Sequence, residues 1–235
     1  MIFDPLDQGT LELPESELIL EHTQLLQPQL TPEVSLHLAA EDLPFFRMGE
    51  DELAAAGLGV PYWAFAWAGG QALARYVLDN PELVRGRRVL DFGAGSGLVG
   101  IAAALAGAFD VTASEIDPLC AAAIRLNAEA NDVYLDVALE DVIGDMDAAH
   151  EVVLVGDVCY DKEIADRLIP WLDALDDAGR TVLIGDPGRF YLPKLGLERI
   201  ASYHAPTTAL MEDSDLRNAG VWRFQKSAPA LESGD

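Results

Sequence analysis

An acid followed by three alternate glycines, Asp91-Phe92-Gly93-Ala94-Gly95-Ser96-Gly97, is the stretch of this chain best suited to chemistry. The apolar pair Val89-Leu90 before it reads as a buried strand, and Leu98 to Ala106 after it is apolar and helix-forming. Glycine has no Cβ, so the backbone can turn tightly and approach a ligand closely. Strand, Gly-rich turn and helix N-terminus together make a nucleotide-type site outside the carboxyl end of the first strand of an open α/β sheet. Gly95, Gly97 and Gly100 match G-x-G-x-x-G, and Glu115 stands at about the ~20-residue offset of a ribose-binding acid. Asp91 separates two cofactor classes. Its carboxylate would repel the pyrophosphate of NAD but attract an ammonium. S-adenosylmethionine (SAM) has a ribose, an α-ammonium and no phosphate, and is the expected cofactor.

The later strand ends supply further candidates. Glu140-Asp141-Val142 places Asp141 to accept from an adenine amino group, although loops are commonly acidic. Gly156-Asp157-Val158-Cys159-Tyr160-Asp161 leaves a buried strand with an acid and a tyrosine three apart. Both can face one opening and hold an incoming amine; the competing reading makes Asp157 a cap and Tyr160 a packing residue. Asp186 and Arg189 could shape a substrate rim. Trp63 and Trp67 either flank the cofactor pocket or belong to the core. Asp117, before Pro118, reads as a helix N-cap.

Positioning these residues requires alternating elements. Strands are expected at 88–92, 110–115, 133–137, 151–156 and 180–185, with helices at 97–107, 118–130 and 161–177. A further helix covers Gln71 to Leu78. This βαβα rhythm implies a mostly parallel sheet with helices on both faces. Two final strands, near 201–208 and 219–225, complete seven. Residues 1–60 read as an N-terminal extension, loosely packed up to residue 30. Thr31-Pro32-Glu33 then opens a short helix, and 40–60 are loops with one helical turn. The catalytic unit runs from 61 to 226, and 227–235 form a disordered tail.

Composition narrows the partners. The formal charge of −25 disfavours nucleic acid, whose binding depends on Lys and Arg neutralising phosphates. It favours a cationic partner such as a lysine-bearing protein loop, or reflects a solvated surface in a salt-adapted host. Cys120 and Cys159 form no C-x-x-C pair, and His22, His37, His150 and His204 have no metal-ligand spacing. No metal is expected. The longest apolar run, Leu98 to Phe109, is short of the roughly 20 residues that span a bilayer, so no membrane association is expected. The acidic N-terminus lacks a signal-peptide pattern, and a cytoplasmic location follows as an expectation.

Taken together, these residues resemble the class I SAM-dependent methyltransferases, and more narrowly the seven-strand protein-lysine methyltransferases with an Asp-x-x-Tyr motif after strand four. Within that group the sequence is most similar to the electron-transfer-flavoprotein β-subunit lysine methyltransferase family. The resemblance is carried by Pro61-Tyr62-Trp63-Ala64, Trp67-Ala68-Gly69-Gly70-Gln71-Ala72-Leu73, Leu78-Asp79-Asn80-Pro81, Val84-Arg85-Gly86 and Val89-Leu90-Asp91. It continues through Gly156-Asp157, Tyr160-Asp161, Leu183 to Arg189 and Val221-Trp222, beginning at Leu30-Thr31-Pro32-Glu33. It implies a Rossmann-like methyltransferase fold that binds SAM through Asp91, Gly93, Gly95, Glu115 and the Trp67–Gly69 region, with Asp141 near the adenine. Gly97 completes the turn. Asp157 and Tyr160 would receive the target lysine of a protein substrate, such as electron transfer flavoprotein β subunit or a ribosomal stalk protein. Glu115 stands where Asp is common, and the Asp141 position varies between Asp and Asn; both keep an acceptor in place. A small-molecule N-methyltransferase acting on a nicotinamide-like amine would use the same cofactor loops. A noncatalytic assembly factor on this fold would bind partners without turnover.

Overall fold

Runs of Val, Ile and Leu form the central strands of a seven-stranded sheet in the computed structural model, which describes residues 14–39, 61–206 and 216–225. Its strands are β3 (Arg88–Phe92), β4 (Asp110–Glu115), β5 (Asp136–Leu139), β6 (Val152–Gly156), β7 (Thr181–Asp186), β8 (Leu197–Pro206) and β9 (Leu216–Phe224). The sheet order is β5-β4-β3-β6-β7-β9-β8. The first five run parallel, whereas β9 is antiparallel to both β7 and β8. The chain proceeds from β3 outward to β4 and β5, then returns to place β6 on the other side of β3. That reversal leaves a crevice at the strand ends where open α/β sheets bind ligands.

Alternate side chains of each strand point to opposite faces. Val152 and Leu154 join a core with helices α2 (Ala68–Asp79), α3 (Leu98–Leu105) and α4 (Pro118–Ala130). Val153 and Val155 join a second core with Leu168, Trp171, Leu172 and Leu175 of α5 (Lys162–Asp177). All four of these β6 residues are fully buried, as a strand covered on both faces must be. Helix α2 lies unusually near the sheet. A Cβ on Gly69 would run into the Gly185 carbonyl of β7, and one on Gly156 would stand 3.1 Å from Gly70 Cα.

The N-terminal segment is better packed than its sequence suggests. Helix α1 (Pro14–His22) leads into a hairpin of β1 (Thr23–Leu26) and β2 (Leu36–Ala39). Ile19, Val34 and Leu36 are fully buried. Two asparagines of α4 and its C-terminal cap hold the hairpin: Asn127 Oδ1 accepts from His37 N at 2.7 Å, and Asn131 Oδ1 from Ser35 N at 2.8 Å. Asn127 also donates to Ser96 O at 2.7 Å, tying the hairpin to the glycine turn.

Several boundaries differ from expectation. Thr31-Pro32-Glu33 is a turn rather than a helix; Thr31 O accepts from Val34 N at 3.0 Å, and the chain then extends into β2. Strand β5 starts at Asp136, not 133, because Val133 N still bonds to Ala128 O and Asp132 has φ 54°, so pairing begins only at Thr112↔Asp136. Helix α2 starts at Ala68, ahead of Gln71, its two glycines accommodated by the close approach to the sheet. The expected loops at 40–60 and the tail at 227–235 lie outside the described residues.

Candidate active site

The glycine turn is pinned to the end of β4. Gly93 N and Ala94 N both donate to Ser114 O, and Gly95 N donates to Glu115 Oε1 at 2.7 Å. The other oxygen of Glu115 accepts from Ile116 N at 3.0 Å. Gly95 has φ 55° and faces the crevice, a conformation that an L side chain adopts only at a cost. Asp91 sits behind the turn, 1% exposed, and its Oδ2 accepts from Gly100 N in the first turn of α3 at 2.7 Å. Burial pushes its pKa up to about 7. Burial also raises Glu115. Two desolvated carboxyl groups therefore stand at one end of the crevice, where a cation or a pair of hydroxyls would stabilise them. Asp141, after β5, accepts from Ile143 N and pairs with Arg167 of α5 at 2.6 Å. That guanidinium holds its carboxyl below the usual range.

At the ends of β6 and β7 the side chains come from distant segments. Asp157 has φ 63°, unusual for a non-glycine residue, and its backbone N donates to Gly185 O at 2.8 Å. Its Oδ2 accepts from Gly69 N at 2.6 Å, and its Oδ1 from Arg189 Nε at 2.6 Å. Asp157 therefore caps the N-terminus of α2, 88 residues away, where the helix dipole favours negative charge. No side chain on α2's own N-cap, Trp67, makes this bond. Asp186 Oδ1 accepts from the backbone N of Gly188 and Arg189, fixing the turn that presents Arg189. Burial pushes Asp186 up to about 6. Tyr160 is half exposed and stacks on Tyr62, ring centroids 5.3 Å apart. Burial and the neighbouring Tyr62 raise its pKa. Trp67 Nε1 donates to Tyr62 O at 3.0 Å, and the Arg189 guanidinium lies 5.8 Å from the Trp67 ring.

One cavity of about 550 Å³ joins these two groups, within the range of small-molecule sites. Of the residues singled out in the sequence, Trp67, Asp91, Gly93, Gly95, Glu115, Asp141, Asp157 and Tyr160 all line it. Gly69 and Gly97 do not. Gly69 is turned toward β7, with only its N–H reaching Asp157, and Gly97 caps α3 with its α-carbon packed toward Ile124. Trp63 is a core residue beside Ile19 and Cys120. Cys120, not Cys159, lines the cavity. Sequence reasoning misses Tyr62, whose only signal is its place in the aromatic run before α2.

The lining carries Asp91, Glu115, Asp117, Glu140, Asp141 and Asp157 against Arg167 and Arg189, both already ion-paired. Such a surplus of acid suits a cationic ligand bearing hydroxyls and opposes a pyrophosphate. SAM therefore fits the residues present. Among the described residues, no group of His, Cys, Asp and Glu could hold a metal ion, and no helix is long and apolar enough to cross a membrane.

A family model described as ribosomal protein L11 methyltransferase (PrmA) matches residues 71–161, from within α2 through Asp157 and Tyr160. The electron transfer flavoprotein beta subunit lysine methyltransferase of Xenopus laevis is 42% identical over 213 residues, covering 88% of this chain and 85% of that protein. The Homo sapiens protein of the same description is 37% identical over 228 residues, covering 92% of this chain and 85% of that one. A solved ribosomal protein L11 methylase from Lactobacillus delbrueckii subsp. bulgaricus aligns with a TM-score of 0.46 at 20% identity, covering 68% of this chain and 81% of that one.

Proposed function

The chain belongs to the electron transfer flavoprotein β-subunit lysine methyltransferase family, and from that premise we propose how its cavity divides the work of transferring methyl groups to protein lysine. It is a SAM-dependent N-methyltransferase. When bound, SAM supplies a methyl carbon already activated by a positively charged sulfur. The protein's task is alignment rather than covalent catalysis.

Asp91 would hold the α-ammonium, with the backbone of Gly93 and Gly95 against the amino-acid end. Glu115 would accept from the ribose hydroxyls, and Asp141 from the adenine amino group. Gly97 and Gly69 act indirectly, by setting the start of α3 and the seat of α2, and Trp67 closes the wall between the two ends. Asp157 and Tyr160 receive the lysine Nζ, which must reach near-attack distance, roughly 3–3.5 Å from the methyl carbon. With the cofactor bound, the Nζ lone pair would form the N–C bond as the C–S bond breaks, the C–S electron pair going to sulfur. The incoming lysine ammonium gives its proton to water before attack, and the product leaves as methylammonium. Lysine's ordinary pKa is about 10.4, so deprotonation before attack is part of the task. The acceptor is the β subunit of an electron transfer flavoprotein or a ribosomal stalk protein.

What supports this assignment is the continuity of one cavity from Asp91 and Gly95 to Asp157 and Tyr160. Incubating the enzyme with methyl-labelled SAM and extract of its native host tests it. Label on lysines of protein bands is the expected result. Label confined to small metabolites would replace it with a small-molecule N-methyltransferase.

A further inference from the structure

A site meant to receive a cationic side chain already holds one. Arg189 Nε donates to Asp157 Oδ1 at 2.6 Å, with the two side chains only 20% and 3% exposed. The guanidinium carbon lies 5.8 Å from the centre of the Trp67 ring. The backbone N of the same residue donates to Asp186 Oδ1 at 2.7 Å, so Arg189 is held at both ends. The second oxygen of Asp157 is bonded to the N-terminus of α2 through Gly69 N. The carboxylate is thus balanced twice, by a guanidinium and by the positive end of a helix.

That balance decides which form of lysine the site prefers. An uncompensated carboxylate beside an incoming lysine stabilises the ammonium and raises its pKa by about 1–3. The ammonium has no lone pair and cannot accept a methyl group. A compensated carboxylate still accepts a hydrogen bond from an amine N–H but no longer rewards the extra proton, and a neighbouring guanidinium repels it. We propose that Arg189 is a positioning residue that keeps Asp157 charge-balanced, so that the site selects the neutral amine of the target lysine over its ammonium. This rests on the assignment of Asp157 to the lysine-receiving end of a protein-lysine methyltransferase.

The groups facing this point come from every surrounding element. They are Asp157 and Cys159 after β6, Asp186 at the end of β7 and Arg189 after it, Glu115 at the end of β4, Tyr160 and Asp161 leading into α5, and Tyr62 ahead of α2. Burial raises both Cys159 and Tyr160 away from neutrality. Burial pushes Asp186 up to about 6 and Asp91 up to about 7, and because the Arg189 charge is one of the groups lowering Asp186, its loss raises that carboxyl further. Only a limb well above neutral pH, together with the proton count on acceptor binding, therefore reports the bound lysine.

The experiment measures kcat against pH at saturating SAM and acceptor for the full chain, Arg189→Met and Arg189→Lys. The acceptor is recombinant electron transfer flavoprotein β subunit, or the protein that takes up label from host extract. In Arg189→Met the rising limb moves up by about one pH unit or more, and below the limb kcat falls about tenfold for each pH unit the limb moves. The KM for acceptor stays level or drops, and Arg189→Lys returns the limb toward wild type. A second reading needs no turnover: calorimetry of acceptor binding in two buffers of different ionisation enthalpy. At about pH 8 the wild type should release close to one proton per lysine bound, since free lysine is protonated there. Arg189→Met should release much less. A uniform loss of kcat at all pH values, with the limb unmoved, would overturn the proposal, and so would wild-type binding without proton release even if the variant fails to fold. A wild type that labels no protein lysine sinks the lysine assignment and this proposal together; a labelled wild type with an unmoved limb sinks this proposal alone.

Discussion

The two ends of the cavity are built by different means. At the glycine turn, Asp91 to Gly100 form one contiguous stretch, and the bonds to Ser114 and Glu115 are made largely by backbone N–H groups. At the acceptor end, Arg189 and Gly69 come from 32 and 88 residues away to bond the two oxygens of Asp157, so both bonds rest on its charged carboxylate. The first end is defined by space and the second by charge balance. Bulk should therefore cost the first end most, while loss of a charged bonding partner should cost the second end most.

Gly95→Arg should have the largest effect. It combines a positive φ with a long side chain aimed into the cavity, costs of about 1–3 kcal/mol each. Calorimetric titration should find SAM affinity reduced by about 100-fold or more; an unchanged affinity would remove the turn from the cofactor site. Asp157→Asn should lower kcat by about 100-fold, roughly what loss of a charged hydrogen-bonding partner costs, while SAM affinity stays within about twofold. Loss of SAM binding in that variant would merge the two ends into one. The asparagine still accepts from Gly69 N, but it leaves Arg189 without its carboxylate, so chemical denaturation should show a stability loss of at most about 3–5 kcal/mol.

The carboxyl behind the turn predicts a pH-dependent effect, confined to pH values below neutrality. Asp91 titrates at about 7 in the folded protein against an ordinary 3.8, so below neutrality it holds a proton that an approaching ammonium must displace. SAM affinity should rise by up to about tenfold per pH unit from pH 5 to 7 and level off above, and Asp91→Asn should flatten the profile. The same raised pKa means the native state binds this proton more tightly than the unfolded chain. Stability of the ligand-free protein should fall as pH rises from about 4 to 7, by about 4 kcal/mol at most. The smallest effect belongs to Asp141→Asn. Its pair with Arg167 is solvent-exposed, such pairs are worth about 0–1 kcal/mol, and SAM affinity should weaken no more than about fivefold.

What can be read from the sequence follows the same division. The bounds of β4 and α4 at 110–115 and 118–130 agree with expectation, because Asp117-Pro118 is a local start signal and its side chain does accept from Leu119 N. The glycine turn and Asp91 are equally local. The Asp157–Arg189 pair is not legible: both residues stand out, as an amine receiver and a rim residue, but only the parallel register of β6 and β7 brings their strand ends side by side. The two competing readings of Asp157, helix cap and site residue, prove to describe one carboxylate, since the helix it caps begins 88 residues earlier. The structured hairpin is hidden for a similar reason, its anchors being asparagines on and just after α4.

The bare contact between α2 and the strands carries one more consequence. With Gly69 against Gly185 and Gly156 against Gly70, main chain rests on main chain at these points. Hydrostatic compression should shrink the cavity while leaving the gap between helix and sheet almost constant. A push on β7 should pass through that contact to the helix tip beside Trp67, shifting the two walls of the acceptor pocket together.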